Sequence, residues 1–399
     1  MSIPTVVFLS FLIRLLLILL FPNIDAPDTE SYVIPAWNLV IGKGYSDNLG
    51  NPYAGREIGY PLFLGCVFLS FGKNLFAVKL FQVLIGSLTC IIIYLIARTL
   101  FSEKIAFYSG LVSAIYPDLV APTCFVLTEV WYIFLLSLSV FFLVKAVKTE
   151  KKILFAISGF FFGLCCLTRT ISLPFPIFLF LGMFAVFSNK KKAALNWTIF
   201  SLVVCLLLSP WVIRNFIIFN EFIPGKQSSD EHPFWIGTYI PWEGNYLAYK
   251  EPFPYKDRIK GLSQKEKNKM LTLEALQHIK ENPLGVAWIW LKKIPKLWLG
   301  VPGSIKVLEN YPLVVIALKA IWIIVLLLGL FGFIKSKDKL KETMPLWILF
   351  IYLTITLMPI VCIPRYRIPI EPYVIIFTVV GFCEIGRFFA KKVEYQRNP

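Results

Sequence analysis

Long uninterrupted apolar runs constrain this chain more than any other feature of its sequence. Several runs approach or exceed the roughly 20 residues that an α-helix needs to cross the hydrocarbon core of a bilayer. The apolar fraction agrees, because 57% of the 399 residues are hydrophobic, whereas soluble domains have about 45–50%. The sequence therefore predicts an all-α polytopic membrane protein.

The runs divide into about ten predicted transmembrane helices. They cover residues 4–22, 76–97, 105–121, 129–147, 153–168, 171–187, 196–218, 313–334, 345–362 and 366–388. The first is expected to be an uncleaved helix, since no small-residue cleavage site follows it. The connections 145–152, 190–192 and 335–341 are short and rich in lysine. The positive-inside rule assigns them, and both termini, to the cytoplasm of a plasma (inner) membrane.

This topology divides the chain into three parts. Residues 1–218 form an N-terminal transmembrane module with a first outer loop over 23–75, residues 219–312 form a long outer loop, and residues 313–399 hold the last helices. In the first loop, Asp25 suits an N-cap and Pro27 the first turn of a helix along the membrane surface. Residues 59–72 are apolar but too short to span easily.

Two helices are predicted in the long outer loop. One runs from Lys265 to Glu281, and the other covers 284–299. Lysines interrupt the second segment, so we expect it to lie on the membrane surface with Trp288, Trp290 and Trp298 at headgroup level.

The composition also excludes some functions. The formal charge of +16 does not indicate nucleic-acid binding, because the basic residues stand in short tracts between apolar runs and no basic face with stacking aromatics occurs. The eight cysteines lie mostly inside apolar runs, and the two histidines are far apart. Neither pattern predicts a disulfide framework or a histidine-based metal site.

Ionisable residues collect at the predicted outer boundary, near the ends of the spans. They are Asp25, Asp28, Glu30, Arg56, Asp118, Glu129, Arg169, Arg214, Arg365 and Arg367. A carboxylate can take a proton from an acceptor hydroxyl, while arginines hold a phosphate leaving group. A divalent metal such as Mg²⁺, Mn²⁺ or Zn²⁺ on Asp28 and Glu129 is a second way to stabilise that phosphate, and the sequence leaves both open.

The same residues stand in a recognisable order. Asp28-x-x-x-Tyr32 precedes a glycine-bearing turn, and a Gly-Tyr-Pro-Leu segment begins at Gly59. Thr128-Glu129 opens one span, Arg169 follows another, and Arg365-Tyr366-Arg367 precedes the last. Together these segments resemble the GT-C superfamily of membrane glycosyltransferases, in particular members related to protein O-mannosyltransferases and lipid A aminoarabinose transferases.

The resemblance implies a function and assigns residues to it. It implies transfer of a sugar from a polyprenyl-phosphate donor to a hydroxyl of a lipid, glycan or protein on the outer face, with inversion. Asp28 would be the catalytic base, and Glu129 would assist directly or through the metal. The donor phosphate would be bound by Arg56, Arg169, Arg365, Arg367, Tyr60 and Tyr366, with Asp25, Glu30, Tyr32 and Arg214 in support.

Other interpretations of these residues stay open. Asp28 and Glu129 could be ordinary acids at helix starts, and the arginines could be snorkelling residues near span ends. A transporter or flippase of lipid-linked sugars is the main alternative function, and a binding or scaffold protein is a third. A transporter would carry charges near the middle of several spans, whereas most charges here lie at span ends.

Overall fold

The computed structural model describes residues 3–24, 26–227, 232–244, 253–300 and 311–397, with backbone alone for 391–397. Within these ranges the chain forms α-helices, short 3₁₀ turns and no β-strand. The predicted all-α fold is therefore confirmed. The helices are α1 (Ile3–Leu20), α2 (Thr29–Val40), α3 (Gly59–Phe71), α4 (Leu75–Leu100), α5 (Glu103–Ile115), α6 (Pro117–Val120), α7 (Glu129–Thr149), α8 (Lys152–Thr168), α9 (Phe175–Val186), α10 (Lys190–Phe219), α11 (Pro233–Thr238), α12 (Gln264–Glu281), α13 (Pro283–Leu299), α14 (Pro312–Lys335), α15 (Met344–Leu357) and α16 (Glu371–Arg397).

Six stretches of the described chain are long and apolar enough to cross a membrane. They are Ile3–Leu20, Leu75–Leu100, Glu129–Thr149, Lys190–Phe219, Pro312–Lys335 and Pro364–Ala390. Glu103–Ile115 and Pro117–Cys124, bent by 68° at their junction, make a seventh if the pair is counted as one span. The other three predicted spans coincide with shorter apolar helices, so the total of ten stays a prediction.

Local sequence sets many of the helix ends. The side chains of Asn74, Asn189 and Asn282 accept hydrogen bonds from backbone N–H groups at the starts of α4, α10 and α13. These amides satisfy donors that a helix start otherwise leaves free. Glu150 and Asn220 end α7 and α10 in the left-handed region, at φ 54° and 52°.

Helix α7 lies at the centre of the bundle. It packs against α4 on one side and α8 on the other, and α10 covers α8. On the C-terminal side α14 packs along α16, where a Cβ on Gly332 or Gly381 would collide with the backbone of the facing helix. Glycine is required there because it allows the two backbones to approach closely.

The first predicted outer loop folds onto the bundle. Tyr32 and Ala36 of α2 pack with Leu64 of α3 and Val78 of α4 in a separate apolar cluster. A Cβ on Gly59 would lie 2.7 Å from the carbonyl oxygen of Leu167, so the start of α3 touches the end of α8 directly. This contact brings the first loop next to the end of α8.

The predicted long outer loop contains both of the helices that the sequence predicted there. Helix α12 begins at Gln264 and ends at Glu281, as predicted, with a capping box at Ser263. Helix α13 is not among the stretches long and apolar enough to span. Trp288 is 59% exposed, but Trp290 and Trp298 turn inward and donate to protein oxygens. The placement of all three tryptophans at headgroup level stays a prediction, because these hydrogen bonds do not fix a depth in the membrane.

Candidate functional site

The first loop places Asp28 at the N-terminus of α2. The helix begins at Thr29, so Asp28 occupies the N-cap position that the sequence suggested for Asp25. Its side chain makes no capping hydrogen bond, which argues against a purely local role. Asp25 lies outside the described residues. Glu30 is exposed and makes no side-chain hydrogen bond within the described part of the chain.

The partner of Asp28 is Arg56, which follows the glycine-bearing turn. Arg56 Nη2 lies 2.7 Å from Asp28 Oδ1, and Arg56 Nε donates to Ser31 Oγ at 2.9 Å. The guanidinium also stacks over the Tyr32 ring, with its carbon 4.7 Å from the ring centroid. The Asp28 side chain stays 50% exposed while that of Arg56 is 20% exposed. The solvent-accessible carboxylate of Asp28 therefore lies next to the Arg56 guanidinium, whose position is fixed by its other contacts.

A second charged group surrounds Glu129 at the start of α7. Glu129 Oε1 lies 2.7 Å from Arg169 Nη2 and 2.5 Å from Arg365 Nε. Arg169 Nε also donates to Thr128 Oγ1 at 2.8 Å, and its guanidinium stacks over the Tyr132 ring at 5.2 Å. Two guanidinium groups thus share one carboxylate, which leaves one unit of positive charge at the pair.

Glu57 joins the two groups, although the sequence analysis did not select it. Its side chain is 6% exposed, and Oε1 accepts from Thr170 N at 2.8 Å and from Thr170 Oγ1 at 2.6 Å. Because Glu57 follows Arg56 and Thr170 follows Arg169, this contact fixes the two arginine-bearing segments to each other. The only feature of the sequence that could have identified Glu57 is its position directly after Arg56.

Tyr32 stands between the two groups. Its hydroxyl accepts a hydrogen bond from Arg56 Nη1 at 3.3 Å, and the charges of Glu57, Arg169 and Glu129 also act on the phenol. Burial raises the pKa of the Tyr32 phenol well above its usual value. Tyr32 is therefore a neutral hydrogen-bonding group at neutral pH.

The two predicted donor-binding tyrosines differ in their placement. Tyr60 is fully buried, and its hydroxyl donates to Gln82 Oε1 at 2.9 Å, while its ring meets that of Tyr32 edge-on. It therefore supports Tyr32 from behind. Tyr366 is half-buried and packs against the main apolar core, next to Arg365 in the chain, so its role at the donor phosphate stays a prediction.

Arg214 and Arg367 are not brought to these groups. Arg214 donates to the carbonyl oxygens of Tyr53 at 2.8 Å and Tyr45 at 2.9 Å, so it fastens α10 to the first loop. Arg367 is fully buried and pairs with Glu371 at 2.8 Å. Its guanidinium also stacks over the Trp322 ring at 4.2 Å. Arg367 therefore belongs to a separate structural cluster.

Two polar residues inside α4 hold the loops that carry the acids. Lys79 Nζ donates to the carbonyl oxygens of Pro22 at 2.7 Å and Ile24 at 3.0 Å. Gln82 Nε2 donates to the carbonyl oxygens of Thr123 and Phe125. Neither residue was predicted as a site residue, although a lysine and a glutamine within a predicted span are unusual enough to signal a role.

The site residues do not form a metal centre by themselves. No group of three His, Cys, Asp or Glu side chains suited to one ion occurs among the described residues. Glu129 already accepts from two guanidinium groups and Asp28 from one. A cation on Glu129 would be repelled by the net positive charge that its two arginines leave. Glu129 therefore does not fit a metal ligand in this arrangement, whereas a metal on Asp28 stays a prediction.

Comparison with known proteins agrees with the predicted resemblance. Residues 57–213 match the family model of dolichyl-phosphate-mannose-protein mannosyltransferases. This range includes Glu57, Glu129 and Arg169 but not Asp28, Arg56 or Arg365. No curated protein sequence matches the chain at a significant level.

Solved structures share the fold. The archaeal oligosaccharyltransferase AglB from Archaeoglobus fulgidus, in complex with an inhibitory peptide and a dolichol-phosphate, matches with a TM-score of 0.59 at 15% identity over 99% of this chain and 51% of that chain. The Archaeoglobus fulgidus oligosaccharyltransferase in complex with Zn and sulfate matches with a TM-score of 0.60 at 16% identity, over 98% of this chain and 50% of that chain. ArnT from Cupriavidus metallidurans bound to undecaprenyl phosphate matches with a TM-score of 0.45 at 12% identity, over 92% of this chain and 76% of that chain.

The two oligosaccharyltransferase structures, together with the family match, confirm the GT-C-type fold predicted from the sequence. The chain spans about half the length of the oligosaccharyltransferase structures.

Proposed function

We propose that the chain is a membrane glycosyltransferase that moves a sugar from a polyprenyl-phosphate donor to an acceptor hydroxyl. One observation carries the proposal: the half-exposed carboxylate of Asp28 pairs with Arg56, and the Glu57–Thr170 contact joins this pair to the group in which Arg169 and Arg365 share Glu129. The dolichol-phosphate in the AglB structure supports a lipid-phosphate ligand for this fold.

The proposed reaction is a single displacement. The acceptor oxygen attacks the anomeric carbon, the bond from that carbon to the phosphate oxygen breaks, and the hydroxyl proton goes to Asp28. Polyprenyl phosphate leaves, and the anomeric configuration inverts. Asp28 suits the base because its side chain is 50% exposed and an acceptor can reach it.

The arginines would bind the phosphate and stabilise the charge that develops on it. Guanidinium groups match phosphate oxygens in a two-point geometry that lysine cannot offer. Arg169 and Arg365 share the single charge of Glu129, so their pair keeps a net positive charge for an anion. Glu129 is a counter-ion that holds both arginines in place between turnovers.

The two ends of α7 support an outer-face site. Glu129 begins this helix, and Glu150 directly follows its last residue, about 30 Å away at 1.5 Å per residue. Glu150 binds Lys192 at 2.6 Å and Lys341 at 2.8 Å, so two of the predicted cytoplasmic lysine tracts meet at that end. The positive-inside rule assigns the lysine end to the cytoplasm. The charged site then faces outward from the plasma membrane.

The test is donor turnover by the purified protein in nanodiscs. A panel of radiolabelled polyprenyl-phosphate sugars is supplied with an acceptor extract, and release of free polyprenyl phosphate is followed. Asp28→Asn should lower the rate by about 100-fold to 10,000-fold, the usual contribution of a general base. Asp47→Asn is the matched control, because Asp47 lies in the same loop and only caps a local turn.

The alternative outcome is equally specific. Binding of a labelled donor without release, unchanged in Asp28→Asn, would refute the transferase and favour a transporter or flippase of lipid-linked sugars. Full turnover by folded Asp28→Asn would refute the base.

A further inference from the structure

A buried lysine outside the charged site connects the long outer loop to the segment that carries Arg365. Lys293, in the middle of α13, is 1% exposed. No carboxylate of the described chain lies within ion-pair distance of its ammonium group. Nζ instead donates to the carbonyl oxygens of Gly237 at 2.9 Å, Met358 at 2.9 Å and Ile360 at 3.0 Å.

This arrangement matches the chemistry of an ammonium group. Lysine offers three N–H donors and no acceptor, and each donor here finds one oxygen. Burial lowers the pKa of Lys293 to about 8, because desolvation disfavours the charged form. A buried cation is costly, so a lysine at this position needs a reason beyond filling space.

The acceptors show what Lys293 does. Met358 and Ile360 lie between the end of α15 at Leu357 and the turn Pro364–Ile370. Their carbonyl oxygens have no regular helix to pair with, so the ammonium group sets the course of this backbone. Glycine makes the approach feasible, because a Cβ on Gly237 would collide with the carbonyl of Pro359.

A second contact ties α13 to the same turn. Arg367 Nη1 donates to the carbonyl oxygen of Leu297 at 3.0 Å and to that of Gly300. Helix α13 therefore binds the backbone that precedes Arg365, through Lys293. It also binds Arg367, which follows Arg365 in the chain.

We propose that Lys293 is a positioning residue that fixes the 358–363 segment and thereby holds the Arg365 guanidinium at the donor phosphate. The role at the phosphate rests on the proposed function. It also makes the long outer loop part of the donor site, since α11 and α13 both contribute to the anchor.

The anchor is tested first without any donor. Cys362 is 2% exposed and its thiol lies against the Lys293 carbonyl, so it should react slowly with a maleimide. Lys293→Met removes the three donors at similar volume and should speed Cys362 labelling, read by peptide mass spectrometry, at least tenfold. Lys292→Met is the control, because the neighbouring Lys292 is half-exposed, pairs with Glu243 and otherwise only lies over the exposed Trp288 ring.

The second measurement is the donor KM in the turnover assay. Lys293→Met should raise the donor KM about tenfold with a smaller change in kcat, as expected when a binding contact shared by ground and transition states is lost. Lys292→Met should stay within twofold of wild type. Should Lys293→Met fail to fold, Gly237→Ala separates the same surfaces and should give the same two effects.

The outcomes are distinguishable. An unchanged rate of Cys362 labelling in Lys293→Met and in Gly237→Ala overturns the anchor. Faster labelling with an unchanged donor KM overturns the positioning role. No donor release by the wild type refutes the proposed function and the role at the phosphate with it, while the labelling rates still decide whether Lys293 holds the segment.

Discussion

Replacing Glu129 by glutamine should separate the stability of the site from its affinity for phosphate. Glu129 is 2% exposed and is the only carboxylate within ion-pair distance of Arg169 and Arg365 in the described chain. Glu129→Gln keeps the shape and one acceptor oxygen but removes the negative charge. Breaking a buried pair typically costs about 3–5 kcal/mol. Because the two arginines are 16% and 23% exposed, we expect the lower end, about 3 kcal/mol.

The uncompensated arginines should then bind an anion more tightly. A ligand at 100 times its dissociation constant stabilises a protein by about 2.7 kcal/mol. A prenyl monophosphate should therefore recover most of the loss in Glu129→Gln, and should shift it more than wild type at equal concentration. The assay is thermal unfolding followed by tryptophan fluorescence at fixed scan rate, with and without farnesyl phosphate.

The opposite end of α7 supplies a matched control. Glu150 also bridges two cations, Lys192 and Lys341, but its side chain is 27% exposed. Exposed pairs are worth about 0–1 kcal/mol, so Glu150→Gln should lower the unfolding midpoint slightly and show no recovery with prenyl phosphate. Equal losses in the two variants, or a ligand shift in Glu129→Gln no larger than in wild type, would refute the reasoning.

Three further changes probe the support of the site. In a double-mutant cycle, Glu57→Gln and Thr170→Val should show a coupling free energy of about 1 kcal/mol or more in thermal unfolding. The reason is that the Glu57 carboxylate accepts from both the backbone N–H and the hydroxyl of Thr170. Losses of stability that simply add in the double variant would contradict this link. Gly59→Ala should destabilise by about 1–3 kcal/mol through overpacking against α8, whereas Gly386→Ala, with open space around it, should not. Burial lowers the pKa of His232 below its unfolded value, and its neutral Nδ1 caps α11. Between the folded and unfolded pKa the unfolded chain binds more protons, so stability is full above about pH 6.5 and falls as the pH drops through the folded pKa. His232→Asn keeps a capping oxygen and should flatten this dependence, measured by limited proteolysis between pH 7 and 5; an unchanged pH profile would contradict it.

Much of the candidate site could be predicted from the sequence because its members mark the ends of apolar runs. Asp28, Glu129 and Arg169 each lie where a helix begins or has just ended. Charged side chains are costly within lipid, so span ends are where they gather. What the sequence could not supply was their pairing: Arg365 and Glu129 are 236 residues apart, and their contact depends on how the helices pack.

Neighbouring residues show the same limit. Arg365 and Arg367 are two positions apart in one 3₁₀ turn, and both were predicted to bind the donor phosphate. The turn directs Arg365 to Glu129 and Arg367 to Glu371. Glu57 and Lys293 were missed for a related reason, since an acid in a loop and a lysine in an amphipathic helix are ordinary until their burial is known.

The sequence by itself determined the all-helical membrane fold, most of the helix positions and the clustering of ionisable groups at span ends. These features follow from local physics: apolar length, capping side chains and the cost of charge in lipid. The tertiary structure alone decided which carboxylate meets which guanidinium, which loop supports which, and which polar groups are buried. Those choices depend on contacts between residues far apart in the chain, for which short-range patterns carry no information.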